Sequence, residues 1–309
     1  MAVPVPPWAV RYGSDAQGFW AEFDVQGRSS TVTQRCRWIA PGTFQMGSPE
    51  GEVDRGDNEA QHEVTLTRGY WLADTACTQA LWQAVMGDNP SAFNNDPANP
   101  VEQVSWDDVQ TFLDRINELM HGLAAGLPSE AQWENACRAG MTTPFSFGEN
   151  IRPEQVNYHG HSPYADGKQG LYREHTVPVK SLPSNPWGLY EMHGNVSEWC
   201  ADWYGDYPGG PQIDPFGPPG GAKRVLRGGS WYGFGRYCRA ADRYGFGPDL
   251  RESLIGFRLA PGQRPGPAGQ EAARRADGQA QAERAGQAAG SDAGGRGTKR
   301  GSKKRSNKP

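Results

Sequence analysis

The chain has 309 residues, of which 36% are hydrophobic and 21% charged, with 41 Gly, 25 Pro and 11 Trp. These numbers permit a sizeable core in one large domain or two ordinary ones, and they exclude a long helical bundle, because Gly and Pro interrupt regular elements throughout. The formal net charge of −4 conceals an asymmetry, since acids dominate before position 260 while Lys299, Arg300, Lys303, Lys304, Arg305 and Lys308 crowd the far end, so body and tail are read separately.

The opening stretch, Met1 to Trp8, carries neither a basic n-region nor a continuous apolar h-region, so a cleaved signal is not expected. No apolar run approaches the ~20 residues a membrane helix requires. Cytoplasmic residence with no membrane partner is the expectation. The cysteines, Cys36, Cys77, Cys137, Cys200 and Cys238, are odd in number and widely spaced, with no metal-binding Cys or Cys/His spacing. They read as buried thiols, with a disulfide as the alternative.

In chain order, Phe19 to Val25 and Arg37 to Ile39 alternate as strands on either side of a turn at Gly27, and Pro41 to Gly47 reads as a turn followed by a strand. The acidic stretch Glu50 to Glu59 is expected to be solvated, and His62 to Thr67 alternates as a further strand. Thr78 to Met86 spaces its apolar residues helically and stops at Gly87, where a left-handed cap is cheap. Ser105 is placed to cap a helix from Trp106 to Leu119, with Val109, Phe112, Leu113 and Ile116 on one face and Asp107 and Asp108 at the positive end. Ser129 and Gln132 form a capping-box pattern for a third, shorter helix. From Gly140 to Ala260 the Gly, Pro, Asn and Asp content predicts loops with brief strands.

The most distinctive stretch lies between Arg227-Gly228-Gly229-Ser230-Trp231 and Ile255-Gly256-Phe257-Arg258. It interleaves Tyr232, Phe234, Tyr237, Tyr244 and Phe246 with glycine, as recognition surfaces do when rigid rings supply contact area at low entropic cost. Together with Arg236, Asp242, Leu250 and Leu254, these residues are the candidate ligand-binding set. The competing reading buries Tyr232, Phe234, Tyr244 and Phe246 beneath neighbouring loops as core aromatics, but alternation with Gly argues against a packed element.

Seven segments, in order, resemble the formylglycine-generating enzyme family, the sulfatase-modifying-factor domain. They are Pro41 to Gly47, Thr78 to Trp82, Pro100 to Trp106, Leu127 to Glu134, Trp187 to Trp199, Arg227 to Trp231 and Ile255 to Arg258. The resemblance implies an α+β fold, a loop-rich variant of the C-type lectin fold with short antiparallel strands and a few helices. It divides the chain into an N-terminal extension at 1–37, the domain at 38–260 with a variable segment at 232–254, and a disordered basic tail at 261–309. Enzymes of the family use copper, oxygen and two cysteines shortly after the Gly-Gly-Ser motif. Here the stretch from Trp231 to Cys238 holds Cys238 alone, so neither copper nor a catalytic residue is expected. The resemblance also suggests a structural calcium at Asn195, Val196 and Glu198, against the alternative that Asn195 and Glu198 satisfy buried donors. Asn157 and Tyr158 lie where a second calcium site would begin, without an aligned acidic ligand. His193 is expected to make a structural hydrogen bond, and His159, His161 and His175 to be loop histidines.

The same segment also resembles the variable region of proteins diversified by retroelements, which rewrite adenines and so replace Asn codons. Tyr, Phe, Gly, Asp, Leu, Arg and Ser are all reachable from an Asn codon by such changes, whereas Glu252 is not. The implied function is a noncatalytic receptor for a protein or other macromolecule, with an oxygen-dependent sulfatase-modifying enzyme as the alternative. The Lys/Arg cluster of the tail is either a solubilising extension or a sequence-independent grip on nucleic acid.

Overall fold

Local hydrogen bonding sets the three helices. In α1 (Gln79–Met86) the Leu81 amide donates to Thr78 Oγ1 at 3.2 Å, and Gly87 closes the helix at φ 92° with its N–H on the Gln83 carbonyl. In α2 (Trp106–Leu119) Ser105 and Asp108 cap each other's backbone, and Val109, Phe112, Leu113 and Ile116 are buried. Ser129 and Gln132 repeat the device at α3 (Glu130–Arg138). The structure is a computed structural model that describes residues 3–27 and 30–263. The expected tail from 264 onward lies outside the described residues.

The strands, in chain order, are β1 (Arg11–Asp15), β2 (Gly18–Gln26), β3 (Thr31–Ile39), β4 (Gly42–Met46), β5 (His62–Leu66), β6 (Tyr70–Ala73), β7 (Ser197–Trp203), β8 (Gln212–Ile213), β9 (Arg224–Arg227), β10 (Arg243–Phe246) and β11 (Ile255–Phe257). They form three sheets, ordered β1-β2-β3-β6, β10-β9-β7-β11 and β4-β5-β8. Most pairs are antiparallel as expected, but β11 joins β7 in parallel and β8 joins β5 in parallel. The boundary expected at 37/38 falls inside β3, which pairs with β6 from Cys36 to Ile39, so the N-terminal strands are part of one sheet with the domain.

The fold is α+β with short strands and few helices. One core cluster joins the first sheet to α1 and α2. There Trp82 lies parallel to Phe112 at 5.2 Å, and Phe257 of β11 meets both rings edge-on. A second cluster gathers Trp133 of α3 with Met192 and Val225. A third, smaller one contains Phe145, Tyr158, Tyr164 and Cys238, and it places a firm floor beneath the stretch after β9. Among the described residues no helix is long and apolar enough to cross a membrane.

Candidate binding face

The segment after β9 is held by its ends and by its backbone. Gly229 sits at φ 68°, and a Cβ there would come within 2.6 Å of the Tyr237 carbonyl and 2.8 Å of Cys238 Sγ. The Gly-Gly-Ser turn therefore packs straight against the 3-10 turn Gly235–Cys238. Amides of Trp231, Gly235 and Ala240 donate to the carbonyls of Asn195, Ser162 and Pro144 at 2.8–3.0 Å, and the His159 amide donates to Gly233. Since these ties use main-chain atoms, they leave the intervening side chains free to differ.

Beneath the segment lies a set of buried arginine–carboxylate pairs. Arg227 contacts Glu134 and the Asp242 carbonyl, and its Nε lies 3.4 Å from Glu130. Arg243 grips both oxygens of Glu130 at 2.7 Å, and Arg258 grips both oxygens of Glu198 at 2.7 Å. Arg239 reaches Glu52 and Glu59 at 2.7 Å and the Asp54 carbonyl at 2.9 Å. The acidic stretch 50–59 was expected to be solvated. Glu50, Asp54 and Asp57 are exposed, but Glu59 and the Glu52 carboxylate are buried and together pair with Arg239 under the face.

Of the nine candidate ligand-binding residues, four are plainly outward: Tyr232 is 59% exposed, Phe234 41%, Tyr244 38% and Phe246 42%. Arg236 and Tyr237 are half-buried between them. Arg236 Nη2 donates to the Tyr237 hydroxyl at 2.6 Å, with its guanidinium 4.7 Å from that ring's centre. The rings form a continuous row: Phe234 stacks on Tyr237 at 5.8 Å, Tyr237 meets Tyr244 edge-on at 5.8 Å, and Tyr244 stacks on Phe246 at 6.4 Å.

The other three do not join this face. Asp242 is buried 3.6 Å from Arg239, and burial pushes its carboxyl up to about 8 despite that neighbour. Leu250 and Leu254 are half-buried and pack against the first core cluster, because the chain there turns inward to start β11.

The row continues into segments that motif reading did not assign. His159 was expected to be a solvated loop residue, yet it stacks on Tyr172 at 4.0 Å, lies 5.5 Å from Phe234, and keeps a buried Nδ1 without a hydrogen-bond partner among the described residues. Tyr172 in turn stacks on Trp231 at 6.4 Å, and Phe93 meets Trp231 edge-on at 5.3 Å. His161 and His175 are exposed. A cluster of aromatics in the Phe93, Tyr172 and 232–246 stretches is the only sequence signal for this juxtaposition, and it carries no spacing that would reveal it.

The metal expectations can be tested against donor atoms. Glu198 gives both oxygens to Arg258, and Oε2 also accepts from Trp133 Nε1 at 2.7 Å. Asn195 Oδ1 accepts from Asn157 Nδ2 and the Val177 amide at 3.0 and 2.9 Å. Asn195 Oδ1 and both Glu198 oxygens are therefore taken by buried donors, and with those atoms committed the trio of Asn195, Val196 and Glu198 does not fit a calcium ion. The neighbouring Asn157 Oδ1 is buried without a partner among the described residues. Nor is there a thiol pair for a copper site in the stretch after the Gly-Gly-Ser turn: Cys238 stands there alone, and all five cysteines are free and buried. His193 makes structural hydrogen bonds. Its Nε2 accepts from the Ser146 amide at 3.0 Å, so Nδ1 carries the proton and donates to the Cys238 carbonyl at 2.7 Å.

A loop-rich α+β scaffold that holds an aromatic face over a buried ionic stem is thus the class of protein defined by fold and site. The chain belongs to the sulfatase-modifying factor enzyme 1-like domain family, whose match runs over residues 22–262. It is 36% identical over 222 residues to the formylglycine-generating enzyme of Streptomyces coelicolor, covering 66% of this chain and 68% of that enzyme. With the Bos taurus formylglycine-generating enzyme it shares 33% over 190 residues, 59% of this chain and about half (48%) of that longer enzyme. Among solved structures, Treponema denticola variable protein 1 is similar at TM-score 0.64 and 29% identity, over 79% of this chain and 99% of that one.

Proposed function

We propose that this chain is a noncatalytic binding protein that uses the family scaffold to display a diversifiable recognition face. The observation that carries the reading is the row of rings from Tyr232 to Phe246, exposed on a backbone fixed by main-chain bonds and by buried ion pairs. An exposed aromatic cluster on a soluble domain marks a contact surface. Likeness to a protein named for its variability agrees with a segment whose residues, Glu252 apart, are reachable from Asn codons. The partner is a protein or other macromolecule rather than a small molecule, because the row is a surface and not an enclosed cavity.

Two measurements test this. Sequencing the gene from several isolates should find substitutions concentrated at 232, 234, 236, 237, 244 and 246, with Cys238 to Arg243 constant; evenly spread substitutions would sink the idea. Replacing Tyr232, Phe234, Tyr244 and Phe246 together with Ser should abolish binding to the partner while costing no more than about 2 kcal/mol of stability, since surface substitutions each act within about ±0.5 kcal/mol. Identity to formylglycine-generating enzymes keeps one alternative, an oxygen-dependent oxidase. Incubation with copper and a cysteine-containing sulfatase peptide, read by mass spectrometry, decides it: any formylglycine formed overturns the assignment.

A further inference from the structure

The three-stranded sheet has a free edge at β4, since its order is β4-β5-β8. Thr43 pairs with Thr65, and the Thr65 carbonyl accepts from the Asp214 amide at 2.9 Å on the far side of β5. Thr65 thus turns its peptide groups toward β8. Thr43, opposite it, belongs to a non-hydrogen-bonded pair and turns its own N–H and C=O outward. Their hydroxyls lie 2.9 Å apart, as the closer approach of such a pair allows. Alternation along the strand gives Gln45 and Gly47 the same attitude. At Gly47 the molecule satisfies these groups itself, through Glu134 Oε1 on the amide at 2.8 Å and Arg138 Nη2 on the carbonyl at 2.7 Å. At Thr43 and Gln45 no described residue does so, and both are exposed.

A cleft of about 610 Å³ runs beside this edge, lined by Trp38, Trp187, Met141, Asn135 and Glu63. Arg138, also on its wall, is committed to Glu134 at 2.8 Å, whereas Glu63 makes no ion pair among the described residues. We propose that this edge docks an extended segment of a partner protein as an added strand, with a bulky apolar side chain in the cleft and a Lys or Arg beside Glu63. Two unpaired N–H and C=O sets, two residues and so about 6.8 Å apart, match the repeat of another strand. A sugar stacked on Trp has no such repeat. This surface is separate from the aromatic face, and each proposal can fail alone.

The test pans a phage-displayed random linear peptide library on the full chain and follows the enriched peptides by hydrogen exchange and by titration. Expected are peptides with an aromatic or large aliphatic residue near a base that slow exchange at Thr43 and Gln45. Gln45→Pro removes one outward N–H without touching the β4–β5 ladder and should weaken them about tenfold or more, one bond plus the steric block. Glu63→Lys should weaken the basic peptides severalfold, and it serves if the proline variant unfolds. Phe246→Ser should leave their affinity unchanged. Peptides that protect 232–246 instead, equal binding by Gln45→Pro and Glu63→Lys, or no enrichment at this edge would overturn the proposal. So would concentration-dependent self-association lost in Gln45→Pro, which would assign the edge to a second copy of the chain.

Discussion

The exposed rings of 232–246 and the arginines beneath them occupy the same short stretch of sequence, yet they obey opposite rules. Phe234, Tyr244 and Phe246 are exposed and linked through the half-buried Tyr237, so changing one of the three alters mainly the surface. Arg239 and Arg243, between them in sequence, are buried against carboxylates drawn from Glu52, Glu59 and Glu130. Breaking such a pair strands a charge in the interior. On the proposed reading, the face can vary because the adjacent positions cannot.

The largest expected effect attacks the stem. Arg258→Ala would leave Glu198 with one indole N–H and no cation in a fully buried site, and should cost about 3–5 kcal/mol in urea unfolding. A loss below about 1 kcal/mol would break the comparison, since the stem would then be as tolerant as the face.

A pH experiment sharpens it. Burial pushes His193 down to about 4, opposed by its bond to the Cys238 carbonyl. The unfolded chain takes up this proton below about 6.5 while the folded one resists until about 4, so the stability contributed is complete above about 6.5 and lost as pH falls toward 4. The order of magnitude is about 3 kcal/mol, from 1.36 kcal/mol per pKa unit. Asp202 and Asp242, pushed up to about 8 chiefly by burial, act in the other sense and lose stability as pH rises from about 4 toward 8. The informative quantity is thus the difference between the parent and His193→Gln at pH 7 and pH 4.5. The parent's advantage should shrink at the lower pH, and parallel curves would show that the folded chain takes up the His193 proton over the same pH range as the unfolded one.

How far these features were legible in the sequence follows from their range. Thr78, Gly87, Ser105, Asp108, Ser129 and Gln132 announce the three helices because capping is completed within three or four residues. β1 was not legible, since Arg11 to Asp15 is polar and only partly covered, and β6 is a four-residue run buried on all sides, without alternation. The framing motifs indicate where the face lies, but not which of its members turn outward. Asp242 faces Arg239 three residues back, a pair that only the fold's burial makes decisive. His159 joins the aromatic row through Tyr172 and Phe234, the latter 75 residues distant in sequence. The buried pairs are as far beyond local reading: Arg227 with Glu134 and Arg258 with Glu198 span 93 and 60 residues.

The smallest expected effect lies at the rim, where the distinction between ring and stem is finest. Arg251 belongs to the 232–254 segment and forms a bidentate pair with Asp108 at 2.7 Å, so by contact alone it resembles the stem. Its side chain is 52% exposed, however, and Asp108 retains the amide and hydroxyl of Ser105 when the arginine is removed. Solvent and salt screen such a pair, and holding two side chains in one geometry offsets much of its attraction. Arg251→Ser should therefore change stability by less than about 1 kcal/mol, and the change should fade as salt is raised. A loss as large as that of Arg258→Ala, persisting at high salt, would mean that bidentate geometry rather than burial separates the constant positions from the free ones.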